Sequence, residues 1–175
     1  MSDALQTLTE ADVRRLAAAD PYWRGRWEYL SVAAEFARSV PGARRVLEIG
    51  PYTQPLVIGA DTMDCRVWPG GPKPTLLHDA TETPWPIADG AYDLAVALQV
   101  WEHLTEFGRE AFDELTRVAR YAVLSLPWNW PGENTHSGIG WETIDRWTGG
   151  LLPYRWAIAG KTLKRVVILF DLEGS

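Results

Sequence analysis

Four short apolar runs constrain this chain more than any other feature: Val46–Ile49, Leu94–Leu98, Tyr121–Leu126 and Arg165–Phe170. Strands that read as nearly continuous apolar runs are buried on both faces, which is the state of a sheet covered by helices. Helical patterns stand before and between them. Thr9, followed by Glu10 and Asp12, reads as an N-cap with acids in the first turn, opening a helix to about Ala19. Asp20-Pro21 is a second start, after which Trp23, Trp27, Leu30 and Ala34 fall on one stripe until Pro41-Gly42. Phe107, Phe112, Leu115 and Val118 give helical periodicity over Glu106 to Val118, and Trp141 to Trp147 reads as a short helix closed by Gly149-Gly150. Two further strands are expected, one reaching Met63-Asp64 and one near Thr75 to Leu77. Tyr154 to Ile158 pairs with the last apolar run. The result is an α/β fold with a doubly wound, mostly parallel sheet and helices on both faces. Residues 1–40 form an N-terminal helical cap, expected over a sheet edge and closing on the ligand site. Residues 44–175 form the α/β core, and nothing divides residues 1–175 into more than one domain.

Bulk properties narrow the function. Of 175 residues, 46% are hydrophobic and 23% charged, which fits a soluble globular domain. A net charge of -6 without a dense basic run argues against a nucleic-acid surface, since phosphate binding relies on Lys and Arg. Cys65 is the single cysteine, so no intrachain disulfide exists. His78, His103 and His136 do not fall at metal-ligand spacings, so no metal site is expected. Met1-Ser2-Asp3-Ala4 lacks a basic region leading into an apolar one, and no run approaches the roughly 20 apolar residues that span a bilayer. A cytoplasmic protein without membrane contact is therefore expected. Ten tryptophans fill either the core or a flat, aromatic-lined pocket.

Ligands of such sheets bind at the carboxyl ends of the strands, at a switch point. Several segments gather there: Glu48-Ile49-Gly50, His78-Asp79-Ala80 followed by Pro84-Trp85-Pro86 and Asp89-Gly90, then Tyr92-Asp93-Leu94 leading into Val100-Trp101-Glu102-His103-Leu104, and finally Ser125-Leu126-Pro127. Their order over residues 45 to 127 resembles the class I S-adenosylmethionine-dependent methyltransferases.

The resemblance implies a Rossmann-like methyltransferase fold and S-adenosylmethionine as cofactor. Gly50 would let the backbone approach the methionine part, with Glu48 organising the loop. The family pattern continues with further glycines, whereas here Pro51, Tyr52, Thr53 and Gln54 follow and Tyr52 takes the place of the second glycine. Asp64, fourteen residues after Gly50, would accept both ribose hydroxyls, with Asp61 as the alternative. That spacing, with Pro51, Pro55 and Gly59 inside it, predicts a truncated helix or a loop as the first crossover. Asp79 would hold the adenine amino group and the Ala80 amide a ring nitrogen. Gln99 would bond the amino-acid part of the cofactor or the acceptor. Trp101 packs on the adenine or in the core. His103 is a candidate base or acceptor ligand, and His136 the best candidate general base. Trp128, Trp130 and Trp141 are candidate walls of an acceptor pocket.

The implied activity is methyl transfer to a small-molecule acceptor, a biosynthetic intermediate or a sugar. The alternative is a non-catalytic cofactor-binding or scaffold protein on the same fold, motivated by the missing glycines. A nicotinamide-dependent oxidoreductase is disfavoured, because a full glycine fingerprint is absent. Should the chain assemble, a dimer is the base-rate expectation.

Overall fold

The computed structural model describes residues 5–173. Met1–Ala4, on which the expectation of no leader rests, lies outside the described residues. Seven strands form one sheet: β1 (Val46–Ile49), β2 (Asp61–Asp64), β3 (Leu76–Leu77), β4 (Tyr92–Leu98), β5 (Ala119–Pro127), β6 (Arg155–Ala159) and β7 (Arg165–Asp171). Their spatial order is β3-β2-β1-β4-β5-β7-β6. The first five are parallel, and β7 runs antiparallel to both β5 and β6. From β1 the chain works outward to β3, then returns to β4 on the other side of β1. The switch point therefore lies between β1 and β4, where crevices open at the strand ends.

Side chains alternate across the sheet, and this explains why the strands read as unbroken apolar runs. Val46, Leu94, Val96, Val123, Val167 and Leu169 point to one face, packed under α1 (Glu10–Ala19) and α2 (Trp27–Ser39). Leu47, Ile49, Ala95, Ala97, Leu124, Ile168 and Phe170 point to the other, under α3 (Gly108–Val118) and α4 (Trp141–Thr148). Thr9 caps α1 through a reciprocal box with Asp12, and Gly149 ends α4 in the left-handed region at φ 65°.

Two details depart from the sequence expectation. The stripe from Trp23 to Ala34 is not one helix. Asp20 caps a single 3₁₀ turn, Pro21–Trp23, by accepting the Tyr22 N–H at 2.8 Å. Gly25, at φ 68°, then breaks the run before α2 starts. Second, α2 lies across β5, β6 and β7 on a face of the sheet and does not cap an edge. The crossovers from β1 to β2, β2 to β3 and β3 to β4 hold no helix. The first is the loop that its prolines and glycine predict. Residues ahead of α1 pin that loop: Leu8 N–H donates to the Leu56 carbonyl (2.8 Å) and Ile58 N–H to the Gln6 carbonyl (2.9 Å). Among the described residues no helix is long and apolar enough to cross a membrane.

Candidate functional site

A cleft of 690 Å³ opens at the carboxyl ends of β1, β2, β3 and β4. Gly50 forms part of its floor. Its φ is 62°, its N–H donates to the Met63 carbonyl at 2.8 Å, and a Cβ there would sit 2.7 Å from Val100 Cγ2. Backbone conformation and space both demand glycine. Two residues on, Tyr52 keeps the left-handed backbone of the glycine it replaces, at φ 58°, which costs about 1–2 kcal/mol for a residue with a Cβ. Its ring lies against Tyr22 (centroids 4.0 Å apart) and meets Trp68 edge-on (5.0 Å), while its hydroxyl donates to Asp20 Oδ2 at 3.0 Å. Tyr22, Tyr52 and Trp68 all line the cleft as an aromatic wall.

Two acids face this volume. Asp64 ends β2 with its side chain 7% exposed. Its Oδ1 accepts the Arg66 N–H (3.3 Å) and its Oδ2 the Trp68 indole N–H (3.0 Å). Each carboxylate oxygen keeps a second lone pair. Asp61 sits at the opposite end of the same strand, accepts the Tyr92 hydroxyl at 3.1 Å and is absent from the cleft lining. Asp79 takes both the Thr81 N–H (2.9 Å) and the Thr81 hydroxyl (2.8 Å) on Oδ1. Its Oδ2 has no partner among the described residues. The Ala80 carbonyl accepts the Trp85 indole at 3.0 Å, which pins this turn in place. His78 donates through Nε2 to the Glu82 carbonyl at 2.7 Å, closing the turn that begins at the end of β3.

Glu48 bonds the loop that it was expected to organise, but as a cofactor contact it is corrected, because its side chain does not line the cleft. Alternation along β1 puts Ile49 on the α3 side and Glu48 with Val46 on the α1–α2 side. The carboxylate is 3% exposed and accepts the N–H groups of Leu56 (2.8 Å) and Val57 (3.2 Å) in the first crossover. Burial pushes its pKa up to about 7, against the lowering effect of those two donors.

The opposite wall is built from β4, β5, β7 and two loops. Gln99 leaves β4 at φ 59°. Its Oε1 accepts the Arg165 Nε–H (2.9 Å) and its Nε2 donates to Ser125 Oγ (3.2 Å). Trp101 is core: its indole donates to the Gly108 carbonyl at 2.9 Å and its ring meets Phe112 edge-on. Next to it, Glu102 is 2% exposed, and neither carboxylate oxygen has a hydrogen-bond partner among the described residues. Burial pushes its pKa up to about 8. His103 lines the cleft. Burial, and then the neighbouring His136, hold its pKa below the usual imidazole value, so the neutral ring prevails at pH 7.

His136 arrives from the loop after β5 and stands behind His103. The two ring centroids are 4.7 Å apart, and Trp130 stacks on the far side of His136 at 6.4 Å. His136 itself does not line the cleft. Glu102, His103 and His136 nevertheless bring one potential ligand atom each to within 4.8 Å of one another. Sequence spacing does not reveal this cluster, because the second histidine comes from a separate loop. The tryptophans also need correcting, since none of Trp128, Trp130 and Trp141 lines the cleft. Trp128 packs edge-on against Trp141 (5.3 Å) and Trp141 against Trp156 (5.2 Å), and of these three Trp141 and Trp156 line a separate pocket of 400 Å³. Sequence reasoning missed Tyr22, Trp68 and the unpartnered state of Glu102. For Trp68 the available hint is its place four residues after an acid that ends a strand.

No protein-family model and no curated protein sequence matches this chain. Solved structures do. A methyltransferase of Aquifex aeolicus, described as dependent on S-adenosylmethionine, superposes with a TM-score of 0.60 at 16% identity, over 93% of this chain and 99% of that one. Magnesium protoporphyrin IX methyltransferase from Synechocystis PCC 6803, solved with S-adenosylmethionine bound, gives 0.54 at 18% identity, over 94% and 92%. A 16S rRNA methylase gives 0.53 at 19% identity, over 92% and 69%. At these identities the likeness is one of fold: the chain has the seven-stranded class I S-adenosylmethionine-dependent methyltransferase fold.

Proposed function

We propose that this chain transfers a methyl group from S-adenosylmethionine to a small-molecule acceptor. One observation carries the reading: Gly50, Asp64 and the pair Asp79-Ala80, from three successive strand ends, face a single 690 Å³ cleft at the switch point. The residues present fit the cofactor. The floor at Gly50 is a cradle that a Cβ would fill, and Asp79 holds one carboxylate oxygen in reserve. In this reading Asp79 Oδ2 accepts the adenine amino group and the Ala80 N–H donates to a ring nitrogen. Asp64 shares its second lone pairs with the ribose hydroxyls. Gly50 lets the backbone approach the amino-acid end, and the Tyr22–Tyr52–Trp68 wall covers the cleft. Glu48 acts one step removed, fixing the first crossover through Leu56 and Val57. It is a positioning residue.

When bound, the cofactor supplies an electrophilic methyl carbon on a sulfonium. The protein's work is then alignment and exclusion of water. His103, neutral and cleft-facing, is placed to take a proton from an acceptor hydroxyl or amine. His136 acts through His103. Calorimetric titration with S-adenosylhomocysteine tests the reading, and the expected result is one site of micromolar affinity. Absence of both heat and thermal shift at millimolar ligand would overturn it.

The scaffold reading keeps one specific observation in its favour. Both Asp64 oxygens already hold donors, one of them from Trp68. Under that reading the indole occupies the place of the ribose, and the same titration separates the two.

A further inference from the structure

We propose that Glu102, His103 and His136 bind one divalent transition-metal ion of the zinc class at the β4–β5 end of the cleft. Two independent observations support the site. The first is geometric: three potential ligand atoms, one carboxylate oxygen and two imidazole nitrogens, lie within 4.8 Å of one another. Zinc bonds of about 2.0–2.2 Å place tetrahedral ligands roughly 3.3 Å apart, so the three groups must close by about 1.5 Å at most. His136 sits on the loop between β5 and α4, where such closure needs no rearrangement of the sheet.

The second observation is Glu102 itself. Even as the neutral acid that burial favours, a carboxyl group this deeply buried, with neither oxygen bonded among the described residues, leaves polar atoms unpaired, which is unfavourable unless something compensates it. Arg165 and Arg26 act on Glu102 only through space, and their hydrogen bonds go elsewhere. Arg165 bonds Gln99 Oε1 and the Leu163 carbonyl, and Arg26 bonds the Tyr22 carbonyl and the Tyr29 hydroxyl. An ion between Glu102 and the two imidazoles supplies the missing partner.

The donor set names the class of metal. Two imidazoles and one carboxylate suit zinc, iron, cobalt or manganese, whereas magnesium and calcium prefer all-oxygen shells. Three protein ligands leave at least one position open, and His103 lines the cleft. The open position therefore faces the acceptor end. Resting on the proposed methyl transfer, this assigns the acceptor to molecules with a hydroxyl or carboxylate oxygen. An ion held there would make an acceptor hydroxyl easier to deprotonate, and His103, once a ligand, would serve the ion in place of acting as the base. The oxygen then forms the bond to the methyl carbon as the carbon–sulfur bond breaks, and S-adenosylhomocysteine leaves with the electron pair.

The test uses the full chain, stripped with chelator and titrated with ZnCl₂ by calorimetry, and with CoCl₂ by visible absorption. One ion per chain with micromolar or tighter affinity is expected. Glu102→Gln and His136→Ala should each weaken it at least about 100-fold. Glu102→Gln removes a buried charge and His136→Ala lies on a surface loop, so melting of the metal-free variants serves as a check that both stay folded. Absence of binding, or binding indifferent to both substitutions, overturns the site. Acetohydroxamate, a two-oxygen chelator, should shift the cobalt bands. Unchanged bands would mean a closed coordination shell and would overturn the acceptor class. S-adenosylhomocysteine titrated into the same stripped sample keeps the two readings apart, because either ligand can bind without the other.

Discussion

The two walls of the cleft are built on different principles. On the β1-β2-β3 side every acid is anchored. Glu48 holds two backbone N–H groups, Asp64 an N–H and an indole, and Asp79 an N–H and a hydroxyl. On the β4-β5 side, neither oxygen of Glu102 has a hydrogen-bond partner among the described residues, and two imidazoles stand beside it. The first wall is rigid before any ligand arrives. The second carries polar groups that make sense only with a further partner. Fixed recognition and adjustable chemistry thus occupy opposite sides of one volume, a division that suits a constant cofactor and a variable acceptor.

The largest effect expected is at the floor where the walls meet. Gly50→Ala forces a Cβ to 2.7 Å from Val100 Cγ2 at a φ of 62°. Strain and overpacking together should cost about 2–4 kcal/mol, read as a lower urea midpoint. S-adenosylhomocysteine binding should disappear with it. Wild-type affinity in this variant would mean that the first wall is not the cofactor wall.

Next comes a contrast within that wall. Asp79→Ala removes a charged acceptor and should weaken S-adenosylhomocysteine by about 10- to 100-fold, the worth of a hydrogen bond to a charged group. Asp61→Asn, at the far end of β2, should leave the affinity within about twofold, as expected for a change distant from the ligand. Equal effects from the two would erase the distinction between strand-end and strand-start acids.

The same contrast explains what the sequence could disclose. Strand positions, the mostly parallel sheet and the strand-end acids Asp64 and Asp79 were legible because each acid stands at the end of a strand. A strand end is a local property, visible in Val46–Ile49 or Leu94–Leu98 alone. The direction of a side chain within the strand is also local, but its face is not. Glu48 is next to Ile49, which lines the cleft, yet the two-residue period turns Glu48 to the other face, under α1 and α2. The second wall was hidden for a different reason. Glu102 and His103 are adjacent, but His136 joins them only through the path of the loop after β5, and no spacing rule encodes that path. The break at Gly25 was missed because Trp23, Trp27, Leu30 and Ala34 keep helical spacing straight across it.

A pH experiment sharpens the role of Glu48. Its folded pKa of about 7 lies above the ordinary 4.5. The folded chain therefore binds a proton that the unfolded chain has released. Stability from this group is full below 4.5, falls as pH rises towards 7 and is level beyond, with a slope of at most about 1.4 kcal/mol per pH unit. Glu102 is raised too and contributes in an overlapping window. The difference between wild type and Glu48→Gln isolates Glu48. Urea midpoints at pH 5 and pH 8 should converge in the variant relative to wild type. An unchanged pH dependence would show that Glu48 is ionised throughout, a fixed acceptor for Leu56 and Val57.

The smallest effect concerns the residue standing where a glycine is expected. Tyr52 couples the first wall to the N-terminal segment through its hydroxyl on Asp20, and to Tyr22 and Trp68 through its ring. Tyr52→Phe removes only the hydroxyl bond, worth about 0.5–1.5 kcal/mol. The ring contacts remain, so S-adenosylhomocysteine affinity should drop only a few-fold. Tyr52→Gly has two opposing consequences: it relieves the backbone strain of a positive φ and deletes the aromatic cover. If the ring serves the ligand, the glycine variant should lose affinity while its urea midpoint changes little. If the ring only seals the cleft, the glycine variant should bind S-adenosylhomocysteine more tightly than wild type, and the aromatic wall becomes a barrier that the ligand must displace.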